Sequence, residues 1–396
     1  MKVEILRLDN FGRGIAYYND KICFIENAYP EEIVEFEISK ETNKYIEGKA
    51  INIIRKSPFR INSKCVYSDI CGGCTFQEYD YQEENKYKEN KIRVLVERAL
   101  HLDSNIVKDI VYDIEINYRN KLILHGNNNK LGLYKNKTNE IIDIEECNIS
   151  NNKINKIIKI LRKINNIEEV LIRTSNDEKE IIVDIKNEVN NYEELLKECT
   201  VLIINNKIIT KKDKIITTIG DKKYYLSSNS FFQVNENLTE KLFDKVKEYI
   251  INIEPTNVLD LYCGTGSFGI YISDIVKTIV GVDYNESNIN DAKNNNKLNN
   301  INNIKYICDK VENVIDTFKN YDLVIVDPPR AGLDKKSIDN IIKINPKNII
   351  YISCDPNTLI RDLNILKEKY EIKEITPYNL FPKTYHCESI VVLERK

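Results

Sequence analysis

The sequence predicts an α/β protein: a doubly wound, mostly parallel sheet in the C-terminal half, preceded by a small antiparallel β-barrel and a central α+β region. Three observations predict it. From Asn235 onward, the strand-like runs NVLDLY, TIVGVD, IKYICD, LVIVDPP, NIIYIS and SIVVLE alternate with stretches of helical period, which places helices on both faces of a parallel sheet. The first sixty residues instead hold short alternating runs, VEILRL, KICFIE, IVEFEI and YIEGKAINII, punctuated by Gly, Pro, Asn or Asp. Between them lies a cysteine-bearing region that fits neither pattern, and 396 residues exceed the size at which one core stops growing.

The barrel segment is acidic at first and basic at its end. Residues 1 to 39 carry four Lys/Arg against eight Asp/Glu, whereas residues 40 to 64 carry seven against two. That second stretch suits a phosphate backbone or, equally, a solvated face with Tyr45 and Phe59 packed inside. The net charge of -3 says nothing by itself about a polyanionic partner. No apolar stretch is long enough to span a membrane, and the start, MKVEILRLDNFGRG, lacks a signal peptide's apolar centre, so a cytoplasmic protein without a membrane partner is expected. In that reducing setting ten cysteines read as metal ligands, catalytic thiols or core residues.

In the central region a helix is expected over Tyr81 to Leu100, and IIVDI reads as a strand. Cys65-x5-Cys71-x2-Cys74, with Gly72 and Gly73 in the tight turn, forms a metal-binding loop for which Cys147 supplies a fourth thiolate. Four sulfurs suit a closed zinc site or a four-iron cluster, and the spacing leaves both open. It differs from the Cys-x3-Cys-x2-Cys loop of radical enzymes.

The C-terminal half opens with a helix whose apolar face is Leu238, Leu242, Phe243, Val246, Tyr249 and Ile250. NVLDLY then runs into CGTGSFG, so Gly264, Gly266 and Gly269 occupy a Rossmann-like strand-to-helix turn where backbone approaches a nucleotide. Asp283, at the end of the next strand, is placed for ribose hydroxyls. Asp260 supports the loop from below, Tyr262 flanks the ligand, and Asp309 is either a partner for an adenine amino group or a helix cap. The loop suits a nicotinamide oxidoreductase nearly as well as a methyltransferase. DPPR, SCDP and HCE at later strand ends favour the methyltransferase, since hydride transfer has no need of them. Arg330 stands where amino-group methyltransferases of nucleic acids often have an aromatic.

Cys354 ends the strand NIIYIS and faces the N-terminus of the helix in DPNTLIRDLNILKEKY, with Pro356 at its start. Partial positive charge there is expected to lower a thiol pKa that begins near about 8.5, with Asp355 opposing unless it is engaged in capping. Cys263 and Cys308 read as loop or core residues, Cys23 and Cys199 have no constellation, and Cys387 in HCE is the nearest competitor. Glu388, partly desolvated at the start of the last strand, is the expected base, with His386 the alternative.

With these residues assembled, the sequence resembles the RNA uracil-carbon-5 methyltransferases over nearly its whole length. LDNFGRGIAYYNDKICFIENAYPEE is similar to the small, OB-like RNA-binding TRAM barrel of many members, and SFFQVN, DLYCGTGSFG, VDPPRAGL, YISCDPNTLIRDL and HCES are the other shared motifs. The resemblance implies an S-adenosylmethionine-dependent enzyme with a TRAM-like barrel over 1–58, a central cluster-binding domain over 59–225 and a catalytic domain over 226–396. Cys354 would be the nucleophile and Glu388 the base. Gln233, Tyr262, Asp283 and Asp327 would contact the cofactor, with Gly264, Gly266 and Asp309 completing its site. Cys65, Cys71, Cys74 and Cys147 match the ligands of the 4Fe-4S cluster in the branch acting on 23S ribosomal RNA; the transfer-RNA branch typical of some bacteria lacks them. The substrate implied is therefore a uridine in 23S rRNA, with tRNA the alternative, and one chain carries every part, as in a monomer. Asp355 replaces the family's usual Asn, Ser267 an Asn of some members, and Asp283 a frequent Glu. Two other readings remain: a cytosine-carbon-5 methyltransferase, and a non-catalytic, metal-stabilised RNA-binding protein.

Overall fold

A computed structural model describes residues 1–127 and 130–396. The N-terminal strands are β1 (Lys2–Glu4), β2 (Arg7–Leu8), β3 (Gly14–Tyr18), β4 (Lys21–Glu26), β5 (Ile33–Glu41) and β6 (Tyr45–Arg55), in the order β1-β5-β6-β4-β3-β2. β1 and β2 stand at opposite ends of that order yet are consecutive in the chain, and Leu6 N donates to Ile15 O at 2.8 Å, so the sheet closes on itself. Alternation puts Val3, Ala16, Cys23, Ile25, Val34, Phe36 and Ile46 inside. Cys23, which has no constellation in the sequence, is thus a core residue.

Helix α1 (Tyr81–Leu95) is capped by Asp80, which accepts from Gln82 N and Glu83 N, and continues as a wider turn to Leu100. Its Ile92, Val96 and Leu100 pack into the core of the C-terminal sheet. The middle sheet comprises β7 (Lys121–Asn127), β8 (Lys130–Tyr134), β9 (Ile141–Asp143), β10 (Glu169–Thr174), β11 (Ile181–Ile185), β12 (Val201–Ile204) and β13 (Lys207–Ile208), ordered β13-β12-β11-β10-β7-β8-β9. It is antiparallel except between β11 and β12, and α2 (Asn152–Leu161) and α3 (Glu193–Glu198) contribute Ile154, Ile157, Leu161 and Leu195 to its core. The expected IIVDI strand is β11, buried throughout.

A hairpin of β14 (Ile215–Ile219) and β15 (Lys222–Leu226) leads into α4 (Glu236–Ile253). Asn235 caps α4, and the residues expected on its apolar face are buried apart from Tyr249, which is partly so. β16 (Asn257–Leu261), α5 (Ser267–Tyr271), β17 (Thr278–Asp283), α6 (Glu286–Leu298), β18 (Ile304–Cys308), α7 (Val311–Val314), β19 (Leu323–Val326), α8 (Lys335–Ile344), β20 (Asn348–Ser353) and α9 (Pro356–Leu366) follow, then β21 (Tyr370–Tyr378) and β22 (Glu388–Arg395). The strand order is β18-β17-β16-β19-β20-β22-β21, parallel up to β20 and antiparallel at the last two pairings. The expected strands are all present; β21, rich in Glu and Lys on its exposed face, is the one the hydrophobic runs do not announce. Strand order reverses between β17 and β19 on either side of β16, which opens a crevice at the carboxyl ends of these strands.

Candidate active site

The glycine loop follows β16. Gly264 has a φ of +55°, and a Cβ there would meet nothing within 4 Å, so the space beside it is free for a ligand. Gly266, at +77°, is different: a Cβ would collide with the hydroxyl of Tyr306, so close packing demands glycine. Asp260 lies beneath the loop as expected, accepting from Gly269 N at 3.3 Å, and burial pushes its carboxyl up to about 8. Asp283 closes the far side, with one oxygen accepting from Gly264 N at 3.1 Å and the other from Asn285 N at 2.8 Å. Its carboxylate is therefore held rigidly against the loop. Tyr262 is itself left-handed at +63°, and its hydroxyl lies 3.4 Å from both Glu312 Oε1 and Ser337 Oγ. Asp309 spends one oxygen on Lys310 N and Asn313 Nδ2, but the residue at the helix start is Lys310 and no side chain caps α7, so the helix-cap alternative is not met. Gln233 is half-buried, and its carbonyl accepts from Asn120 Nδ2.

Three neighbouring strand ends bring together the expected nucleophile and two acids. Asp327 directly follows β19, Cys354 directly follows β20, and β22 begins at Glu388; the ladder pairs Ser353 with Ser389, so thiol and glutamate are adjacent. Asp355 caps α9, accepting from Asn357 N at 2.8 Å and Thr358 N at 3.2 Å. Its charge is thus turned to the helix. The thiol nevertheless departs from the expected lowering: burial, then the nearby carboxyls of Glu388 and Asp327, push Cys354 up to about 12, against a smaller opposing pull from Arg330. Burial also raises Asp327 to about 7 and Glu388 well above the usual carboxylate range, the latter reinforced by Asp327. Glu388 is only 2% exposed, and its burial favours the neutral carboxyl. His386 is driven down to about 4 by burial and by Arg330, whose Nη2 lies 3.4 Å from its ring, which leaves it a weak base. Cys387 is fully buried, with its thiol donating to Tyr378 O, and has no route to a substrate.

Away from this crevice, Cys65, Cys71, Cys74 and Cys147 all line one cavity of about 470 Å³. Gly73 N donates to Cys71 Sγ at 3.4 Å, and Asn155 holds the backbone of Cys147 through both its N–H and its carbonyl. Among the described residues no three His, Cys, Asp or Glu side chains meet closely enough to grip one ion. A tetrahedral zinc needs all four sulfurs at about 2.3 Å from a single point; a cubane cluster carries its thiolates on separated corners, which suits four cysteines spread around one cavity. Burial raises Cys65 and Cys71 and takes Cys74 to about 12, which favours the protonated thiols until a metal displaces their protons.

The basic segment is partly consumed internally. Arg60 is buried against Glu32, with its Nε 2.6 Å from Glu32 Oε1, and also pairs with Glu78, while Arg55 pairs with Glu4. Two groups escaped the sequence reading. One is the buried network of Glu84, Lys88, Asn379 and Lys383; the other is the cation group Arg119, Lys121 and Arg173. Arg173 carried a signal, an arginine inside the apolar run VLIRT.

A glycine turn at the switch point of such a sheet, with an acid after the following strand, defines a nucleotide-binding fold, and the thiol and two acids gathered at the neighbouring strand ends single out the S-adenosylmethionine-dependent methyltransferases from the nicotinamide enzymes. The sequence pattern of the tRNA (Uracil-5-)-methyltransferase family matches residues 81–396, and that of the TRAM domain matches residues 1–51. The chain belongs to this family: it is an S-adenosylmethionine-dependent RNA uracil-5-methyltransferase with an N-terminal TRAM domain. An uncharacterized RNA methyltransferase of Staphylococcus aureus (strain COL) is 31% identical over 99% of this chain and 97% of its own. Another, from Clostridium tetani (strain Massachusetts / E88), is 32% identical over 96% and 93%. Among solved structures, the Pyrococcus abyssi tRNA (uracil-54, C5)-methyltransferase in complex with S-adenosyl-L-homocysteine superposes with a TM-score of 0.81 at 25% identity, covering 99% of this chain and all of that one.

Proposed function

We propose that the enzyme methylates carbon-5 of a uridine in 23S ribosomal RNA through a covalent bond from Cys354 to carbon-6. The observation that carries this reading is the convergence of Cys354, Glu388 and Asp327 at three adjacent strand ends beside the glycine loop. Gln233, Tyr262, Gly264, Gly266, Asp283, Asp309 and Asp327 hold S-adenosylmethionine, which supplies a methyl group on a cationic sulfur. The extruded uracil enters beside Cys354. The thiol gives its proton to the Asp327 carboxylate and Sγ bonds to carbon-6, leaving an enolate shared between carbon-5 and the oxygen on carbon-4. Carbon-5 is then nucleophilic enough to take the methyl group. The Glu388 carboxylate removes the carbon-5 proton, and the carbon–sulfur bond breaks to return the thiolate, which recovers its proton from Asp327.

Cys65, Cys71, Cys74 and Cys147 are the thiolates of a 4Fe-4S cluster with a structural role in presenting RNA. A visible absorbance band lost on oxidation supports iron; a colourless zinc protein overturns it. The segments 1–58 and 59–225 serve RNA binding and 226–396 catalysis, in a cytoplasmic monomer. A tRNA substrate is the second reading, favoured by the similarity to the Pyrococcus abyssi enzyme.

Mapping 5-methyluridine in rRNA and tRNA from cells with and without the gene separates the two targets. Cys354→Ala should abolish turnover and the adduct with 5-fluorouridine-containing RNA, whereas Glu388→Gln should form the adduct and release it slowly. Turnover by the alanine variant overturns the covalent route.

A further inference from the structure

The cavity that holds the four cysteines has a second, cationic end lined by Arg119, Lys121 and Arg173. Lys121 and Arg173 are direct partners in the antiparallel ladder between β7 and β10. Like charges directly opposite on neighbouring strands repel one another. Among the described residues no carboxylate forms an ion pair with any of the three cations. Arg119 donates its Nε to Lys121 O at 2.8 Å, which folds its guanidinium over the same strand.

Arg173 is the informative member. It is 1% exposed, and its Nη1 donates to Ser227 O at 3.0 Å and Ser230 O at 2.6 Å, pinning the turn that precedes Phe231. Its Nη2 is buried with no partner at all. A buried, unpartnered charged donor is costly enough that folds keep it for a ligand. Crowding confirms how little offsets the charge: burial and the two arginines pull Lys121 down to about 8, and burial lowers Arg173 to about 10.

Among the described residues none of the three cations donates to a cysteine: the arginines spend their hydrogen bonds on Lys121 O, Ser227 O and the Ser230 oxygens. The cationic end instead adjoins the segment carrying Gln233: Asn120, between Arg119 and Lys121, donates its N–H to Val234 O at 3.0 Å and its Nδ2 to Gln233 O at 3.3 Å, and Phe231 lines the same cavity. A strand of RNA whose target nucleotide enters the crevice would pass this point.

We propose that Arg119, Lys121 and Arg173 form a socket for a backbone phosphate of the substrate RNA flanking the extruded uridine, with Arg173 Nη2 and Lys121 Nζ as its donors. This rests on the RNA-methylating function proposed above. A phosphate answers each observation: it accepts from the orphaned guanidinium nitrogen, relieves the repulsion between partners on β7 and β10, and requires no base-specific group.

The test measures binding of fluorescein-labelled dodecauridylate to the full-length protein as a function of salt, for the wild type, Lys121→Gln, Arg119→Gln/Lys121→Gln and Arg173→Lys. Losing one charge-assisted contact should weaken binding about tenfold. Each lost phosphate contact should also flatten the log–log salt dependence by about 0.7. S-adenosylhomocysteine affinity and the metal content of the protein should not change. Half-buried Lys121 keeps the test meaningful if Arg173→Lys fails to fold. Unchanged affinity and slope in the double variant overturn the socket, as does a variant that loses metal while binding RNA normally. Competition by inorganic phosphate at concentrations that leave the salt slope intact would mark a small-anion site and also overturn it. Methyl transfer to bulk RNA from a strain lacking the gene is read alongside: binding without transfer would sink the proposed function and leave the socket standing.

Discussion

Replacing Lys88 by methionine should destabilise the protein by about 5 kcal/mol and slow the enzyme that remains folded. Lys88 and Glu84 are both fully buried on α1, and Lys88 Nζ lies 2.7 Å from Glu84 Oε1, 2.5 Å from Asn379 Oδ1 and 3.2 Å from Phe381 O. Glu84 in turn accepts from Asn379 Nδ2 at 3.0 Å and from Lys383 N at 3.0 Å. The network joins α1 to the loop that delivers Glu388 to β22. Methionine keeps most of the stem volume and removes the ammonium, leaving an uncompensated buried carboxylate at a cost of about 3–5 kcal/mol. Two acceptors, Asn379 Oδ1 and Phe381 O, also lose their donor, at about 1 kcal/mol each. Urea unfolding followed by circular dichroism reads the loss. Glu84→Gln/Lys88→Met should recover about 2–3 kcal/mol of it, because the amide still accepts from Asn379 and Lys383 without a charge. A single variant that loses under about 1 kcal/mol, or a double variant less stable than the single, would refute the assignment of this pair as a buried ion pair holding the catalytic loop.

Cys354 alkylation by iodoacetamide, followed on its own peptide by mass spectrometry, should rise about tenfold per pH unit between neutrality and pH 9 without a plateau. The thiol is raised to about 12, so the thiolate is scarce throughout that window and grows with pH; a plateau below pH 9 would contradict this. Arg330→Gln removes the cation that lowers the thiol's pKa and should slow alkylation at every pH in the window, and an unchanged rate would show that Arg330 does not act on Cys354. Gly266→Ala forces a left-handed residue into the Tyr306 hydroxyl and should cost at least about 2 kcal/mol, read as a fall in melting temperature. Gly264→Ala should cost only about 1 kcal/mol, since its Cβ points into open space, yet calorimetry should show S-adenosylhomocysteine binding lost. Wild-type binding by Gly264→Ala would move the cofactor elsewhere.

Much of the catalytic half was legible along the chain because its signals are local. The runs from NVLDLY to SIVVLE are strands because continuous apolar residues bounded by turn formers have few other uses, and strand ends in an open parallel sheet fall on one side by topology. Cys354, Asp327 and Glu388 could therefore be assigned to a common crevice from their positions in those runs. The cap by Asp355 was also readable, since Asp before Pro at a helix start has its oxygens within reach of the next free N–H groups. β21 was hidden because its exposed Glu and Lys break the apolar run, and pairing with β22 supplies what its own pattern lacks.

By itself the sequence determined the order of the three regions, the glycine turn and the placing of Cys354 at a strand end. Each of these depends on residues near one another in the chain. Only tertiary structure decided the protonation of the site, because the thiol and the two acids are shifted by burial and by each other across strands separated by many residues. The same holds for the unpaired cations beside the cysteines and for the ion pair under the catalytic loop: electrostatic energy depends on distance in space and on exclusion of water, and neither is written in local spacing.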